Sequence, residues 1–345
     1  MKRTIMKILE YILMAAAGIA VAACSADGPE VPGRDQITFS VAEKATRAGS
    51  QSSMSSTSTF GSYAWLVPES GPSDGMLYIP EEEISCKESV WKAWGTAGEP
   101  DHLYWWPSSG TLAFFGWAPY RLSSSPDGSA FSIGKDGFTL AGWNTLVAQD
   151  DILTASEARD CGAGHGAVAL TFSHALSALT FLLKVSNDPA ETLTSCWLES
   201  PDRSFRTGGT LDCVDDGFRW SELAAAASDV QYYYDWECEG LSLGDSENGV
   251  RAYSDLSPAV QGKVFTSNSG DILVIPQKTS AGSLSFHFLV RDGSGNRTER
   301  SVSLPAEDYK AGKRYEYTIT ISPVLDVAVS IKDWNVRYAS DDITF

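Results

Sequence analysis

The most regular feature of the sequence is an alternation of apolar and polar residues with a period of two. Successive side chains of a β-strand point to opposite faces, so this period predicts strands that bury one face. The alternation is clearest in four segments, whose apolar members are Ile37, Phe39 and Val41; Leu284, Phe286, Phe288 and Val290; Tyr315, Tyr317, Ile319 and Ile321; and Val327, Val329 and Ile331.

Shorter apolar runs add further strand candidates. They cover residues 111–117, 168–172, 179–185 and 271–275. The segment Asp-Gly-Ser-Gly-Asn296 follows one strand and predicts a hairpin turn. We predict a helix only over residues 221–227, where a serine precedes Glu, Leu and four alanines. Many short strands separated by Gly, Ser, Asp and Pro predict an all-β protein built from antiparallel β-sandwiches.

Two strand-rich halves meet near residues 158–166, where the alternation is interrupted by a glycine-rich stretch. We therefore predict an N-terminal β-sandwich over residues 37–160 and a C-terminal β-sandwich over residues 161–345, each long enough to bury its own core. An insertion near residues 211–263 contains the helix candidate and an aromatic run that ends at Trp236.

The first residues resemble an export signal. A basic head precedes an apolar stretch over residues 8–20, and Val-Ala-Ala-Cys24 follows. The stretch is too short to cross a bilayer comfortably, and small residues before a cysteine match a lipobox, in which the thiol is acylated and the preceding bond is cut. We therefore predict a lipoprotein signal peptide over residues 1–23, lipidation at Cys24, and a tether over residues 24–36. The alternative is an ordinary secretory signal with a chance cysteine.

Charge and cysteine content narrow the range of partners. The net charge is −18 over 345 residues, and loss of the three basic residues and one acidic residue of the signal peptide changes it to −20. Such a chain repels nucleic acid.

Five cysteines follow Cys24, which is an odd number. They have neither the density of a disulfide scaffold nor the CxxC spacing of a zinc site, so we interpret them mainly as thiols, with one bridge possible. These cysteines are Cys86, Cys161, Cys196, Cys213 and Cys238.

We find no sequence motif that predicts catalysis, a metal or a cofactor. The histidines show neither HxxH nor HExxH spacing, and no GxSxG elbow is present. The glycine-rich loop at residues 162–166 is not followed by the Lys-Ser/Thr of a phosphate loop, and the hairpin turn lacks the glycine and glutamate of a calcium loop. We therefore predict a protein that is not an enzyme and that holds no metal or cofactor.

Tryptophan is unusually abundant, with 11 residues in the chain. Aromatic side chains bind sugars or proteins when they are exposed and build cores when they are buried. Trp91 and Trp94 are the candidates for contact with glycans or host proteins, and the alternative is that most tryptophans of this region belong to the core.

Several short motifs in one fixed order resemble the fimbrillin family of Bacteroides-type bacteria, whose members are subunits of surface fimbriae. The motifs are the lipobox; Ile-Thr-Phe39 followed by Thr-Arg-Ala48; Tyr-Trp-Trp-Pro107; Leu-Ala-Phe-Phe-Gly-Trp-Ala-Pro119; Asp-Ile-Leu-Thr-Ala155; Val-Ala-Leu-Thr-Phe-Ser-His-Ala-Leu-Ser-Ala-Leu-Thr-Phe181; Ile-Leu-Val-Ile-Pro-Gln277; Tyr-Glu-Tyr-Thr-Ile319; and Ile-Lys-Asp-Trp-Asn335. The resemblance spans nearly the whole mature chain.

The resemblance implies two transthyretin-like β-sandwiches in tandem, export as an outer-membrane lipoprotein, and assembly with other fimbrial subunits by strand exchange. It also implies that a protease cuts between Arg47 and Ala48 and removes the strand at residues 37–41. The alternative is that Arg47 is an ordinary surface residue of an uncut anchor, tip or tethered binder, which would contact glycans or host proteins.

A sheet that lacks one strand accepts an extended segment with matching alternation. The C-terminal part of the chain offers two such segments, at residues 327–331 and 343–345. Their apolar members, the candidate donor residues, are Val327, Val329, Ile331, Ile343 and Phe345.

Overall fold

The computed structural model describes residues 35–43, 58–71, 74–94, 101–125, 128–160, 166–185, 192–214, 217–226, 234–242, 250–251, 271–321 and 326–333. These residues form strands and one short 3₁₀ helix, Tyr120–Ser124, so the all-β class is confirmed. Among the described residues, no helix has the length and apolar character needed to span a membrane.

The strands are numbered in chain order. Their bounds are β1 Phe39–Glu43, β2 Thr59–Val67, β3 Met76–Lys87, β4 Val90–Ala93, β5 Thr111–Ala118, β6 Ala130–Gly134, β7 Gly137–Asn144, β8 Leu153–Asp160, β9 Val168–His174, β10 Ser177–Val185, β11 Thr192–Glu199, β12 Arg206–Val214, β13 Gly217–Ala225, β14 Tyr234–Ser242, β15 Val250–Arg251, β16 Ile272–Val274, β17 Gln277–Lys278, β18 Ser285–Arg291, β19 Arg297–Ser303, β20 Asp308–Tyr309, β21 Lys313–Ile321 and β22 Asp326–Asp333.

The first part of the chain forms a sheet that closes on itself in the order β1-β4-β3-β2-β5-β8-β9. The side chains inside this closed sheet form the inner core. Its buried members are Ile37, Phe39, Phe60, Ala64, Ile79, Ile84, Ala93, Trp106, Leu112, Phe114, Ala118, Leu153, Ala155, Val168, Leu170 and Phe172. The strands alternate because every second residue points into this core.

A four-stranded sheet in the order β13-β12-β7-β6 covers the outer face of β2 and β5. Trp117 of β5 fills this layer and lies 4.7 Å from Phe131 and 5.6 Å from Phe138, measured between ring centroids. A side chain at Gly61 would meet the Trp117 ring at 2.1 Å, so only glycine fits beneath the indole. We call this layer the joint core; its buried members are Tyr63, Phe115, Trp117, Leu122, Phe138, Leu140, Trp143, Ile152, Ala175, Leu176, Ala178, Leu211, Cys213, Leu273 and Ile275.

The C-terminal part of the chain forms a two-sheet sandwich. One sheet has the order β15-β10-β21-β22, with β16 also paired to β10, and the other has the order β14-β11-β18-β19. Phe181 lies at the centre of this C-terminal core, with its ring stacked on Phe286 at 4.7 Å and on Tyr317 at 5.3 Å. The hydroxyls of Tyr309 and Tyr317 are hydrogen bonded to each other at 2.6 Å.

All the strand segments predicted from the alternation and the apolar runs are strands in the structure, and the turn that ends at Asn296 joins β18 to β19. The predicted helix over residues 221–227 is wrong, because Ser221 and the residues up to Ala225 belong to β13. This strand pairs with β12, and the indole N–H of Trp220 donates to the carbonyl of Ala175 at 2.7 Å. Pairing and packing therefore override the helix propensity of a short alanine run.

Strand pairing also crosses the boundary that we predict between residues 160 and 161. β9 lies beyond that boundary, yet it pairs with β1 and β8 and completes the closed sheet. β12 likewise pairs with β7, so the start of the predicted insertion is part of the sheet that forms the joint core. Residues 215–216, 227–233, 243–249 and 252–263 of the insertion lie outside the described residues.

The tyrosine pair of the C-terminal core predicts loss of stability at alkaline pH. Burial raises the pKa of Tyr309 and of Tyr317 above the ordinary phenol value. A raised pKa in the folded state means that stability is complete below the unfolded value of about 10 and declines as the pH rises above it. We expect the urea midpoint to fall between pH 9 and 12, and to fall less in the double variant Tyr309→Phe, Tyr317→Phe. An equal pH dependence in the variant and the parent would contradict this prediction.

Candidate functional site: the slot of strand β1

The backbone of residues 35–43 fills a slot between two parts of the closed sheet. On one side β1 runs parallel to β9, with Phe39 opposite Val168 and Glu43 opposite Phe172. On the other side the N–H of Ile37 donates to the carbonyl of Tyr104 at 2.8 Å. β1 touches β4 at a single residue pair. The pairing with β9 is therefore the main attachment of β1 to the sheet.

Two hydrogen bonds extend this attachment beyond the strand itself. The N–H of Trp106 donates to the carbonyl of Asp35 at 3.1 Å, and the N–H of Val168 donates to the carbonyl of Thr38 at 2.8 Å. Gln36 and Trp105 form an isolated bridge between these two bonds. Residues 35–39 thus satisfy backbone groups on both walls of the slot.

The apolar side of β1 completes the inner core. Ile37 and Phe39 are buried, and Val41 packs against the same cluster. The Phe39 ring meets Phe60 and Phe114 edge-on, with centroids 5.9 and 6.0 Å apart. Burial of Ile37 and Phe39 contributes about 1.5–3 kcal/mol each. Removal of β1 would therefore open an apolar trough as well as two unpaired backbone edges.

Polar side chains fix the wall formed by residues 101–106. The hydroxyl of Tyr104 donates to a carboxylate oxygen of Glu82, whose second oxygen lies 2.9 Å from Nδ1 of His102. The hydroxyl of Tyr78 donates to the carbonyl of Trp105 at 2.5 Å. Burial, and then the contact with Glu82, raise the pKa of Tyr104 above its ordinary value. The phenol therefore stays protonated at physiological pH and remains a donor to Glu82.

The connection between β1 and the rest of the sheet holds the predicted processing site. Glu43 ends β1, Thr59 begins β2, and Arg47 and Ala48 lie between them. Both of these residues, and also Cys24, lie outside the described residues. A cut after Arg47 would leave residues 35–43 held by non-covalent contacts alone.

The donor candidates fall in two places. Val327, Val329 and Ile331 belong to β22, which is the last strand of its sheet in the described part of the chain and pairs with β21. Val327 and Val329 pack against the C-terminal core, whereas Ile331 is 55% exposed. Ile343 and Phe345 lie outside the described residues.

Trp91 and Trp94, the two tryptophans predicted to contact ligands, have different surroundings. Trp91 is opposite Phe39 in the β1–β4 pair and packs on Phe60, with ring centroids 5.6 Å apart, so it belongs to the wall of the inner core. The Trp94 indole N–H donates to the carbonyl of Ser85 at 3.0 Å, and Nζ of Lys92 lies 3.9 Å from its ring centroid. Ligand contact at either residue stays a prediction.

His287 lies on the outer face of β18. Glu199 and Glu299 each have a carboxylate oxygen 3.3 Å from one of its ring nitrogens, and the Trp197 ring stacks on it with centroids 5.2 Å apart. Within the described ranges, no three His, Cys, Asp or Glu side chains are grouped as metal ligands would be.

The fold is similar to those of solved bacterial surface proteins. It matches a fimbrial protein from Bacteroides vulgatus with a TM-score of 0.60 and 17% sequence identity, over 88% of this chain and 100% of that chain. It also matches a putative cell adhesion protein from Bacteroides ovatus with a TM-score of 0.52 and 14% identity, over 88% of this chain and 98% of that chain. No curated protein matches the sequence.

Residues 46–334 match the family model described as fimbrillin-like. This range covers most of the chain, so the chain belongs to the fimbrillin-like family, and the resemblance drawn from the short motifs is confirmed. The family model identifies the protein as fimbrillin-like, and the solved structures show that it shares the fold of a fimbrial protein.

The slot geometry predicts how strongly β1 supports the inner core. We expect Phe39→Ala to lower the free energy of unfolding by about 3–5 kcal/mol, because it leaves a cavity between Phe60 and Phe114. Ser40→Ala is the matched control on the exposed side of the same strand and should change it by less than about 0.5 kcal/mol. Urea unfolding followed by tryptophan fluorescence measures both. Equal stability of the two variants would show that β1 is not part of the folded core.

Proposed function

We propose that this protein is a structural subunit of a cell-surface fimbria, assembled by strand exchange after proteolytic removal of β1. The observation that carries the proposal is the slot. β1 buries apolar side chains and pairs with strands distant in sequence, while its chain connection to β2 runs through Arg47. A segment with these properties can be cut free and replaced by another strand.

Export and anchoring come first in the proposed sequence of events. The signal peptide directs the chain out of the cytoplasm, and acyl groups on Cys24 attach it to the outer membrane. Each buried methylene contributes about 0.8 kcal/mol to membrane binding, so a multiply acylated cysteine holds the protein firmly. β1 keeps the sheet closed during this stage and protects the inner core from solvent.

Cleavage after Arg47 then converts a closed sheet into an open one. Without residues 35–43, β9 presents unpaired N–H and C=O groups on one side of the slot, and residues 104–106 present them on the other. An exposed strand edge beside an apolar trough binds an extended peptide through main-chain hydrogen bonds and side-chain pockets.

A C-terminal segment of another subunit is the proposed replacement. Donor and slot are different surfaces of the molecule, so the contact is heterologous and repeats from one subunit to the next. A heterologous contact that does not close into a ring grows a filament, and we propose that this filament supports adhesion. We also propose that the body consists of two transthyretin-like units in tandem, as the family resemblance implies. The proposed role is structural and not catalytic.

A tip or anchor that binds glycans is the second candidate, and the tryptophan geometry gives it little support. Trp91 is part of the core wall, and Lys92 lies over the ring of Trp94, where a sugar would stack. The structural subunit is therefore the function that we favour.

Replacement of Arg47 tests the maturation step. We expect Arg47→Ala to block cleavage by an arginine-specific protease and to prevent filament growth, because β1 stays in its slot. Arg34→Ala is the matched control, since a cut after Arg34 leaves β1 joined to the body. N-terminal sequencing of surface protein should give Ala48 for the parent and the control. Filaments formed by uncut Arg47→Ala protein would refute the step.

Replacement of Cys24 tests the anchor. We expect Cys24→Ser protein to lose labelling by radioactive palmitate and to leave the membrane fraction, because serine cannot carry the thioether-linked lipid. Cys86→Ser is the control thiol within the body. Retention of Cys24→Ser protein in the membrane fraction together with lipid label would disprove lipidation at this residue.

A further inference from the structure

The lipid site, β1 and the processing site follow one another in a fixed order along the chain. Cys24 comes first, β1 spans Phe39–Glu43, and Arg47 lies four residues after Glu43. The lipid and β1 are therefore on the same side of the bond between Arg47 and Ala48. A cut at this bond divides the mature chain into a lipidated segment, residues 24–47, and a cut body, residues 48–345.

The described contacts of residues 35–43 do not involve the bond that is cut. Residues 39–43 pair in register with residues 168–172 of β9. Residues 35–38 hydrogen bond to the backbone of residues 104–106 and of Val168. All of these bonds join the lipidated segment to the cut body. After cleavage, the segment is therefore a peptide ligand that already occupies its binding site.

Buried side chains oppose the departure of this ligand. Ile37 is 3% and Phe39 is 7% exposed, and Val41 packs against the same cluster. Departure of the segment would expose these side chains to water and leave the edge of β9 unpaired, and both effects are unfavourable. Differences in affinity appear mainly in the dissociation rate, so a strand that is held in both ways leaves slowly.

We infer that residues 24–47 remain bound after the cut and hold the cut body on the membrane. This inference rests on the proposed function, because it takes lipidation of Cys24 and cleavage after Arg47 from it. The link between the cut body and the bilayer is then the pairing of β1 with β9 and no longer a covalent chain. Opening of the slot is a separate and slower step than cleavage, and the cut body leaves the membrane only when β1 leaves β9.

A second arginine in the same region leads to the opposite result. Arg34 lies between Cys24 and β1 in the sequence. A cut after Arg34 separates the lipid from β1 and leaves β1 covalently joined to the rest of the chain. That product leaves the membrane with its slot filled. Only a cut after Arg47 makes attachment to the membrane depend on the contacts of β1.

Limited digestion of the membrane-bound protein with an arginine-specific protease tests the inference. Between Cys24 and β2, Arg34→Lys restricts the cut to the bond after Arg47, and Arg47→Lys restricts it to the bond after Arg34. We expect the cut body of the Arg34→Lys protein to begin at Ala48 and yet to sediment with the membranes. The product of the Arg47→Lys protein should begin at residue 35 and appear in the supernatant.

Substitutions within β1 show whether its contacts form the link. In the Arg34→Lys protein, Phe39→Ala should speed release of the cut body about a hundredfold or more, because the largest buried side chain of the segment is lost. Val41→Ala is a smaller change that disturbs folding less, and it should speed release about five- to tenfold. Ser40→Ala changes an exposed residue of the same strand and should release the cut body as slowly as the parent does.

A second way of cutting makes the result independent of Arg47. A recognition site for another sequence-specific protease is placed in the connection between Glu43 and Thr59, which joins β1 to β2. After this cut and extraction into a mild detergent, the segment that carries β1 and the rest of the chain should elute together from a gel-filtration column. Separate elution would overturn the inference.

The outcomes separate this inference from the proposed function. If the Arg34→Lys protein yields Ala48 but its cut body appears at once as a monomer in the supernatant, maturation stands and the inference is overturned. If no Ala48 end forms, the proposed maturation is wrong, and elution after the introduced cut still decides whether β1 is retained. Equal release rates of the Phe39→Ala and Ser40→Ala proteins would overturn the inference, because β1 would not be the link.

Discussion

The parallel pairing of β1 with β9 is the contact on which the first half of the molecule depends. It closes the sheet, and it brings Ile37 and Phe39, of β1 and the residues just before it, into the inner core. The hydrogen bonds to residues 104–106 complete the other side. The same contact is therefore both a structural necessity for the monomer and the place where the monomer can be opened.

In the proposed strand exchange, the joint core would keep the rest of the molecule folded while one end is open. β2 and β5 bury both faces: Phe60 and Phe114 point into the inner core, whereas Tyr63 and Phe115 point into the joint core. Gln149 adds a polar link, since its side chain donates to and accepts from the backbone of Leu273 at 2.9 and 2.7 Å. These strands keep a packed partner on their outer face even if β1 is absent.

Much of the strand content follows from local alternation, and the features that were missed depend on distant residues. Phe39 and Phe286 were placed correctly because a period of two is visible in a few residues. The partner of β1 was not predictable, since Val168 is far away in sequence and alternation does not encode pairing. The residues that follow Ser221 predict a helix, because the strand formed here depends on pairing with β12, which the local sequence does not encode. The link between Glu82, Tyr104 and His102 left no signal in the sequence, because only the fold brings these residues together.

The direct continuation of β9 into β10 has a mechanical consequence. Only Ala175 and Leu176 separate these strands, and both residues are buried in the joint core. A pull along a segment seated beside β9 passes through this continuous backbone into the C-terminal sheet. Because that segment lies lengthwise against β9, the load is shared among their hydrogen bonds in shear instead of breaking them one at a time. This layout would suit the proposed fibre, whose subunits must hold together under tension.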